Sequence, residues 1–299
     1  MKEFFLDGIG TKWQIVINEK EENFSVEKVD KVLLEIKNKM AEYEKVFSRF
    51  LPDSLVTEIS KKAGEYVLPF EAKEMFDLYK DLYDLTDGVV TPLIGNTISD
   101  IGYDAVYSLK PKENISRPKA WEEVLDYKYP NLVVKEPVLL DFGALGKGQM
   151  IDIVANILKS HGVENFMVNA GGDIAYQDKK EFLRVGLEDP EDFSQAIGVA
   201  KINNQSLCSS AGSRRKWGEY THIINPKTLK SPKDILALWV IAPKTILADG
   251  LATALFFVSP EKLVKKYTFD YMILFADHSV RYSPFFKGEL FISKKENIN

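Results

Sequence analysis

An α+β fold of mixed sheets packed with helices is what this sequence predicts. Segments with helical period and segments that look like strands follow one another without strict βα alternation, which argues against a doubly wound sheet. Hydrophobic residues make up 45% of the 299 and charged residues 28%, the balance of an ordinary folded domain. No low-complexity linker and no fixed-period repeat interrupts the chain. The length alone fits one large domain or two small ones.

The elements follow in order. Trp13-Gln14-Ile15-Val16-Ile17 reads as a strand. Val29, Val32, Leu33, Ile36, Met40 and Tyr43 recur at helical spacing between Ser25 and about Phe47, with Ser25 as N-cap. A second helix is expected from about Pro69 to Leu85, ended by Thr86-Asp87-Gly88. Residues 96–131 are polar and turn-rich, with too few apolar faces for a domain, and read as an excursion over the surface. Val138-Leu139-Leu140 reads as a short strand, and Met150, Val154, Ile157 and Leu158 mark one face of a helix. Phe166-Met167-Val168 is the next strand, closed by Gly171-Gly172. Leu236 to Ile241 is another strand, and Leu251 to Phe257 begins another helix.

Composition removes several functions. A net charge of −5 and ordinary apolar content do not describe a disordered chain, and a mildly acidic chain lacks the basic excess of a nucleic-acid binder. Cys208 is the one cysteine, so neither a disulfide scaffold nor a cysteine-built metal site exists. The opening Phe4-Phe5-Leu6 is shorter than the roughly 7–15 apolar residues of a signal peptide. No stretch reaches the roughly 20 apolar residues of a membrane span. The expectation is a soluble cytoplasmic protein without a membrane anchor.

Four segments carry candidate chemistry. Leu140-Asp141-Phe142-Gly143-Ala144-Leu145-Gly146-Lys147-Gly148 lies at an expected strand-to-helix junction. Unpaired N–H groups and the dipole there suit a phosphate, and Lys147 adds a charge. The segment lacks the spacing of a Walker A loop, and a glycine-rich turn with a solvated lysine is the other reading. Asn169-Ala170-Gly171-Gly172-Asp173, directly after a strand, reads on its own mainly as a turn with positive φ or a bulge. His222, in Tyr220-Thr221-His222-Ile223-Ile224-Asn225-Pro226, is a structural histidine or a group for proton transfer. In Ala248-Asp249-Gly250-Leu251-Ala252-Thr253, Asp249 and Thr253 stand four apart on one helical face. Their oxygens suit a hard cation such as Mg²⁺; alternatively Asp249 is an N-cap and Thr253 faces the core.

Taken in order, these segments resemble the ApbE family of FAD:protein FMN transferases, from about Gly8 to Phe257. Gly10-Thr11, Ser48-Arg49-Phe50 with Asp53-Ser54, Thr86-Asp87-Gly88 followed by Thr91, and Ser210 to Arg215 join them. The resemblance implies a single domain over residues 1–299, because its site draws on residues from Ile9 to Thr253. It implies transfer of FMN from FAD to a Thr or Ser hydroxyl of an acceptor flavoprotein through a phosphoester bond, with release of AMP. It implies Mg²⁺ held by the side chains of Asp249 and Thr253 and the carbonyl of Ala144. FAD contacts are implied for Ile9, Phe50, Val89, Val90, Thr91, Asp141, Lys147, Gly171, Gly172, His222 and Ile223. His222 and Asp249 are the alternative proton acceptors. The chain departs from the family at Val90, where Asp is frequent, and at Ala211, where Ser is frequent. It also has Asn225-Pro226-Lys227-Thr228-Leu229 in place of Asp-Pro-x-Thr-Gly. Two other readings keep the FAD site: hydrolysis of FAD to FMN and AMP, and FAD binding without turnover.

Overall fold

The computed structural model describes residues 1–18 and 26–291. The elements run β1 (Lys2–Gly8), β2 (Thr11–Ile17), α1 (Val26–Phe47), α2 (Leu55–Ile59), β3 (Gly64–Val67), α3 (Phe70–Leu85), α4 (Gly95–Asp100), α5 (Trp121–Val124), β4 (Leu125–Lys128) and β5 (Asn131–Val134). The second half holds α6 (Gly146–Ser160), β6 (Phe166–Ala170), β7 (Asp173–Gln177), β8 (Leu183–Glu188), β9 (Ala196–Ile202), β10 (Gln205–Ala211), β11 (Lys216–Trp217) and β12 (Tyr220–Thr221). It ends with β13 (Ile235–Ala242), α7 (Thr245–Ala254), α8 (Pro260–Leu263), β14 (Asp270–Phe275), β15 (Val280–Tyr282) and β16 (Gly288–Leu290). Ser25, the expected N-cap of α1, lies outside the described residues.

The main sheet has eight strands in the order β1-β2-β6-β7-β10-β13-β14-β15, antiparallel throughout. Strand alternation sorts its side chains to two faces. Trp13, Ile15 and Ile17, with Phe166 and Val168, join the helices in the larger core. Val29, Val32, Ile36, Met40 and Tyr43 of α1 enter the same core, at the spacing that predicted the helix. On the other face, Ala237, Trp239, Ile241, Met272 and Leu274 pack on a second sheet of order β16-β9-β8, through Leu187, Ile197, Ala200 and Ile202. Alternation along β13 serves both cores at once, since Leu238 and Val240 turn to the helices. The mixed architecture is the expected one, helices and antiparallel sheets in a single domain.

Three segments differ from expectation. Val138-Leu139-Leu140 is not a strand. Its extended backbone meets other loops and helix ends, with the Val138 N–H on the Ile59 carbonyl at 3.4 Å and the Asp141 N–H on the Pro92 carbonyl at 2.8 Å. The stretch 96–131 has structure at both ends, in α4, α5 and β4. Ile98 and Ile101 form a small core with Trp217 and Ile224. Residues 103–119 have neither helix nor strand. The helix expected from Leu251 begins at Thr245, so Asp249 stands inside it and is not its N-cap.

The start of α7 was obscured because its cap is not local. The Asp152 carboxylate of α6 accepts from the N–H groups of Thr245 and Ile246, at 2.8 and 2.9 Å. In return Asp249 of α7 accepts from the Gly148 N–H in the first turn of α6, at 2.9 Å. Each helix thereby satisfies donors that the other leaves unpaired. Gly148 is required for the approach: a Cβ there would stand 2.5 Å from the Thr245 carbonyl oxygen and 2.8 Å from the Asp249 Cβ. Asp152→Ala leaves two first-turn N–H groups of α7 without their acceptor. It is expected to lower stability by about 2 kcal/mol, the upper end for loss of a helix cap. A urea midpoint equal to that of the wild type would contradict the capping role.

Candidate active site

The mutual caps bring three charged side chains together. Asp249 is buried in the second turn of α7, and Asp173 opens β7 at 1% exposure. Between their carboxylates lies the ammonium of Lys147, in the first turn of α6. It pairs with Oδ2 of Asp173 and stands 3.8 Å from Oδ1 of Asp249. The second Asp173 oxygen accepts from the Ser209 N–H of β10 at 3.1 Å. Burial pushes the Asp249 carboxyl above the usual range, and Lys147 and the Gly148 N–H pull it back. The Cys208 sulfur lies within 4.8 Å of carboxylate oxygens of both aspartates. Its thiol donates to the Thr245 carbonyl at 3.6 Å, and burial pushes its pKa well up. The structure thus adds a cysteine beside the carboxylates, though not a cysteine-built site.

Asp141 anchors a second cluster. Oδ2 accepts from Nε of buried Arg49 at 2.5 Å, and Oδ1 from the Gly143 N–H at 2.8 Å. The Arg49 guanidinium lies 4.2 Å from the Phe50 ring centroid and donates to the Tyr103 carbonyl at 2.7 Å. Phe50 stacks on Tyr107 with rings 3° from parallel and centroids 5.4 Å apart, and Tyr103 stacks on Trp217. Arg215 reaches the Tyr103 hydroxyl at 2.8 Å. His222 borders this cluster, its N–H on the Arg215 carbonyl at 3.3 Å. Its Nδ1 is buried without a hydrogen-bond partner. Burial first, and the Arg215 charge next, push its pKa from 6.5 to about 4, so the ring is neutral at neutral pH. The charges of Lys147 and Asp141 both bear on its ionisation, in opposite directions.

The sequence-predicted residues take varied positions. Lys147 and Asp249 meet; Thr253 follows Asp249 by one turn of α7, and Ala144 lies in the turn that leads into α6. Gly171 and Gly172 are the two positive-φ residues of the β6–β7 hairpin, φ 61 and 100, which sets Asp173 at the start of β7. Ile223 is buried in the larger core. Thr91 caps a short 3₁₀ turn through its hydroxyl, while Val90 is buried and Val89 half-buried. Their segment touches the site through the Pro92 carbonyl, which accepts from Asp141. Ile9 stands apart, with its N–H on Glu44 at 3.0 Å. It occupies the left-handed region at φ 50 in the β1–β2 turn, a true outlier for a β-branched side chain. Asn225 keeps the role expected of an Asp, its Oδ1 accepting from the Lys227 and Thr228 N–H groups. Leu229, in place of Gly, sits at φ 58.

Sequence reasoning assigned no role to Asp173, Asp152 or Arg49. Asp173 and Arg49 were visible only as members of motifs, and their partners lie far along the chain. The glycine-rich segment also works differently from a bare phosphate cradle. Gly148 admits α7, and the N–H groups of Gly143 and Gly148 are already bound to carboxylates.

Two buried carboxylates flank a lysine at the α6 N-terminus, and the neutral His222 lies within electrostatic range of that lysine. The family model described as the ApbE family matches residues 9–272. The chain belongs to the ApbE family. Similar sequences include the FAD:protein FMN transferase of Buchnera aphidicola subsp. Schizaphis graminum, 24% identical over 275 residues, covering 85% of this chain and 79% of that one. Another is the FAD:protein FMN transferase of Haemophilus influenzae, 27% identical over 260 residues, covering 80% and 74%. Flavin transferase ApbE from Vibrio cholerae superposes with a TM-score of 0.77 at 18% identity, over 94% of this chain and 96% of that one. The ApbE protein from Thermotoga maritima gives 0.77 at 21% identity, over 95% and 97%. At these identities the structural likeness is one of fold.

Two outcomes follow from the electrostatics. Between pH 6.5 and about 4 the unfolded His222 binds a proton that the folded one refuses, so stability holds above that window and erodes as pH falls through it. His222→Gln removes this dependence, and its urea midpoint should vary less across the window than the wild type's; equal slopes would contradict the assignment. Arg49→Ala leaves Asp141 without its guanidinium. It should lower stability by roughly 3–5 kcal/mol, the usual loss on breaking a buried ion pair, as read by thermal unfolding.

Proposed function

We propose that this chain transfers FMN from FAD to a Thr or Ser hydroxyl of an acceptor flavoprotein through a phosphoester bond, releasing AMP with Mg²⁺ as cofactor. A cytoplasmic flavoprotein is the acceptor that the sequence leads one to expect. The observation that carries the reading is the meeting of Lys147 and Asp249 at the N-terminal end of α6, with a neutral His222 that feels the Lys147 charge, in a member of the ApbE family.

The residues fit a hard divalent cation. Asp249 commits Oδ2 to Gly148 and turns Oδ1 toward a cation already present, the Lys147 ammonium. Thr253 and the Ala144 carbonyl are the further oxygen donors proposed for Mg²⁺. When bound, the metal would neutralise charge on the pyrophosphate and on departing AMP. Lys147 supplies a fixed positive charge for the same phosphates. Asp141, held by Arg49, fixes the turn before α6. Phe50, with Tyr107 stacked on it, offers an aromatic surface for the flavin end. His222 is the proton acceptor in this reading, because its ring is neutral, whereas both Asp249 oxygens are engaged, one by the Gly148 N–H and one by the Lys147 ammonium. As the hydroxyl oxygen bonds to the FMN phosphorus, its proton passes to His222. The bond from that phosphorus to the bridging oxygen breaks, and AMP leaves with the electron pair.

The test incubates purified protein with FAD, Mg²⁺ and a Thr-bearing acceptor flavoprotein and weighs the acceptor. A gain of one FMN with equimolar AMP is expected, and EDTA should stop it. AMP without a change in acceptor mass would indicate hydrolysis, and no AMP at all a binding protein. Asp249→Ala should abolish transfer more than FAD binding, and a wild-type rate would sink the metal assignment. Lys147→Ala should mainly weaken FAD affinity. Ile9→Asn relieves the left-handed strain and should raise stability by about 1 kcal/mol while weakening FAD binding, read by urea unfolding and FAD titration.

A further inference from the structure

Asp173 has no part in the reading above, yet it is the most deeply buried carboxylate at the site. One oxygen is fixed to β10 through the Ser209 N–H, and the other is given to Lys147. Asp249 is equally fixed through Gly148. Two buried carboxylates with oxygens within 4.8 Å of each other are favourably placed to share a cation, since water screens neither well from the other's charge. Among the described residues Lys147 is the cation in ion-pair range of both. Its side chain retains 26% exposure, so it can swing outward without disturbing the core.

We infer that Lys147 is an internal placeholder for the divalent cation, held in that position by Asp173. The inference rests on the proposed function in placing the divalent cation at Asp249. Without metal, the ammonium balances one of the two carboxylate charges. A divalent cation arriving at Asp249 repels the ammonium, which stays tethered to Asp173 and turns its charge toward the open side, where a phosphate would arrive. The three side chains carry −1 in total without the metal and +1 with it, so loading the metal also prepares the site for an anion. Asp173 is then a positioning residue that acts through Lys147. The lysine competes with the metal, so metal affinity should be modest in the FAD-free protein. It should rise when the pyrophosphate draws the ammonium away, a reciprocal coupling between the two ligands.

The experiment titrates the full-length, FAD-free protein with Mn²⁺, read by the loss of its free-ion EPR signal. Lys147→Met is expected to tighten Mn²⁺ binding about tenfold, and Asp173→Asn, which leaves the ammonium to Asp249 alone, to weaken it about tenfold. These changes correspond to about 1.4 kcal/mol each. Because Asp173 acts through Lys147, the double variant should stay near the Lys147→Met value. FAD should tighten Mn²⁺ binding to the wild type and do so far less in Lys147→Met. Should Asp173→Asn fail to fold, Lys147→Met and Lys147→Gln carry the test, since that side chain is partly exposed. Mn²⁺ affinity unchanged or lowered in Lys147→Met overturns the placeholder. If the wild type binds no Mn²⁺, or Asp249→Ala binds it as well as the wild type, the cation site of the proposed function falls and the placeholder with it. If Asp249→Ala loses Mn²⁺ while Lys147→Met is unchanged, the placeholder alone falls.

Discussion

The reciprocal capping of α6 and α7 is the constraint on which the site depends. A helix N-terminus is an electropositive end with unpaired donors. Here two such ends lie side by side, and each receives a carboxylate from the other helix, Asp249 on Gly148 and Asp152 on Thr245 and Ile246. The arrangement locks the helices in register and fixes Asp249 where Lys147 can reach it. Gly148 sets the distance, because no other residue lets the α7 backbone come so close. The sheet contributes the last anchor, with β7 and β10 presenting Asp173 and Ser209 to the same point.

The periodic elements were legible because their determinants are local. Apolar runs announced β2, β6 and β13, and helical spacing announced α1 and α6. What escaped were features whose partners are remote. Nothing near Lys244-Thr245 marks a helix start, since its cap comes from Asp152, 93 residues earlier. Val138-Leu139-Leu140 has the composition of a strand but meets a helix end and a loop instead of a ladder. At the site, the ordered motifs pointed to Lys147, Asp249 and His222, whereas the roles of Asp173 and Arg49 required knowing what they face. Glycine spacing was ambiguous in the same way: Gly148 looked like room for a ligand and proved to be room for a helix.

Departures from local preference occur at these residues and at Ile9, which stands apart from them. Buried carboxylates, a histidine kept neutral, and a β-branched residue in the left-handed region each oppose folding on their own. They persist because the surrounding framework over-determines them: Glu44 holds the Ile9 backbone, Arg49 holds Asp141, and the two helix ends hold Asp249. The cores supply the stability that lets such strain stand, with β13 giving alternate side chains to both sides of the sheet.

The strand order has a consequence for how the molecule comes into being. β2 pairs with β6, so Trp13 waits for Ala170 before its edge is closed. Asp173 and Lys147 then wait for Asp249. Such long sequence separations are slow to close, because chain entropy is lost before any contact compensates it. On a ribosome, the β1–β2 hairpin would emerge before β6 and keep one edge of β2 open until that strand follows. The charged centre would be assembled only once α7 docks.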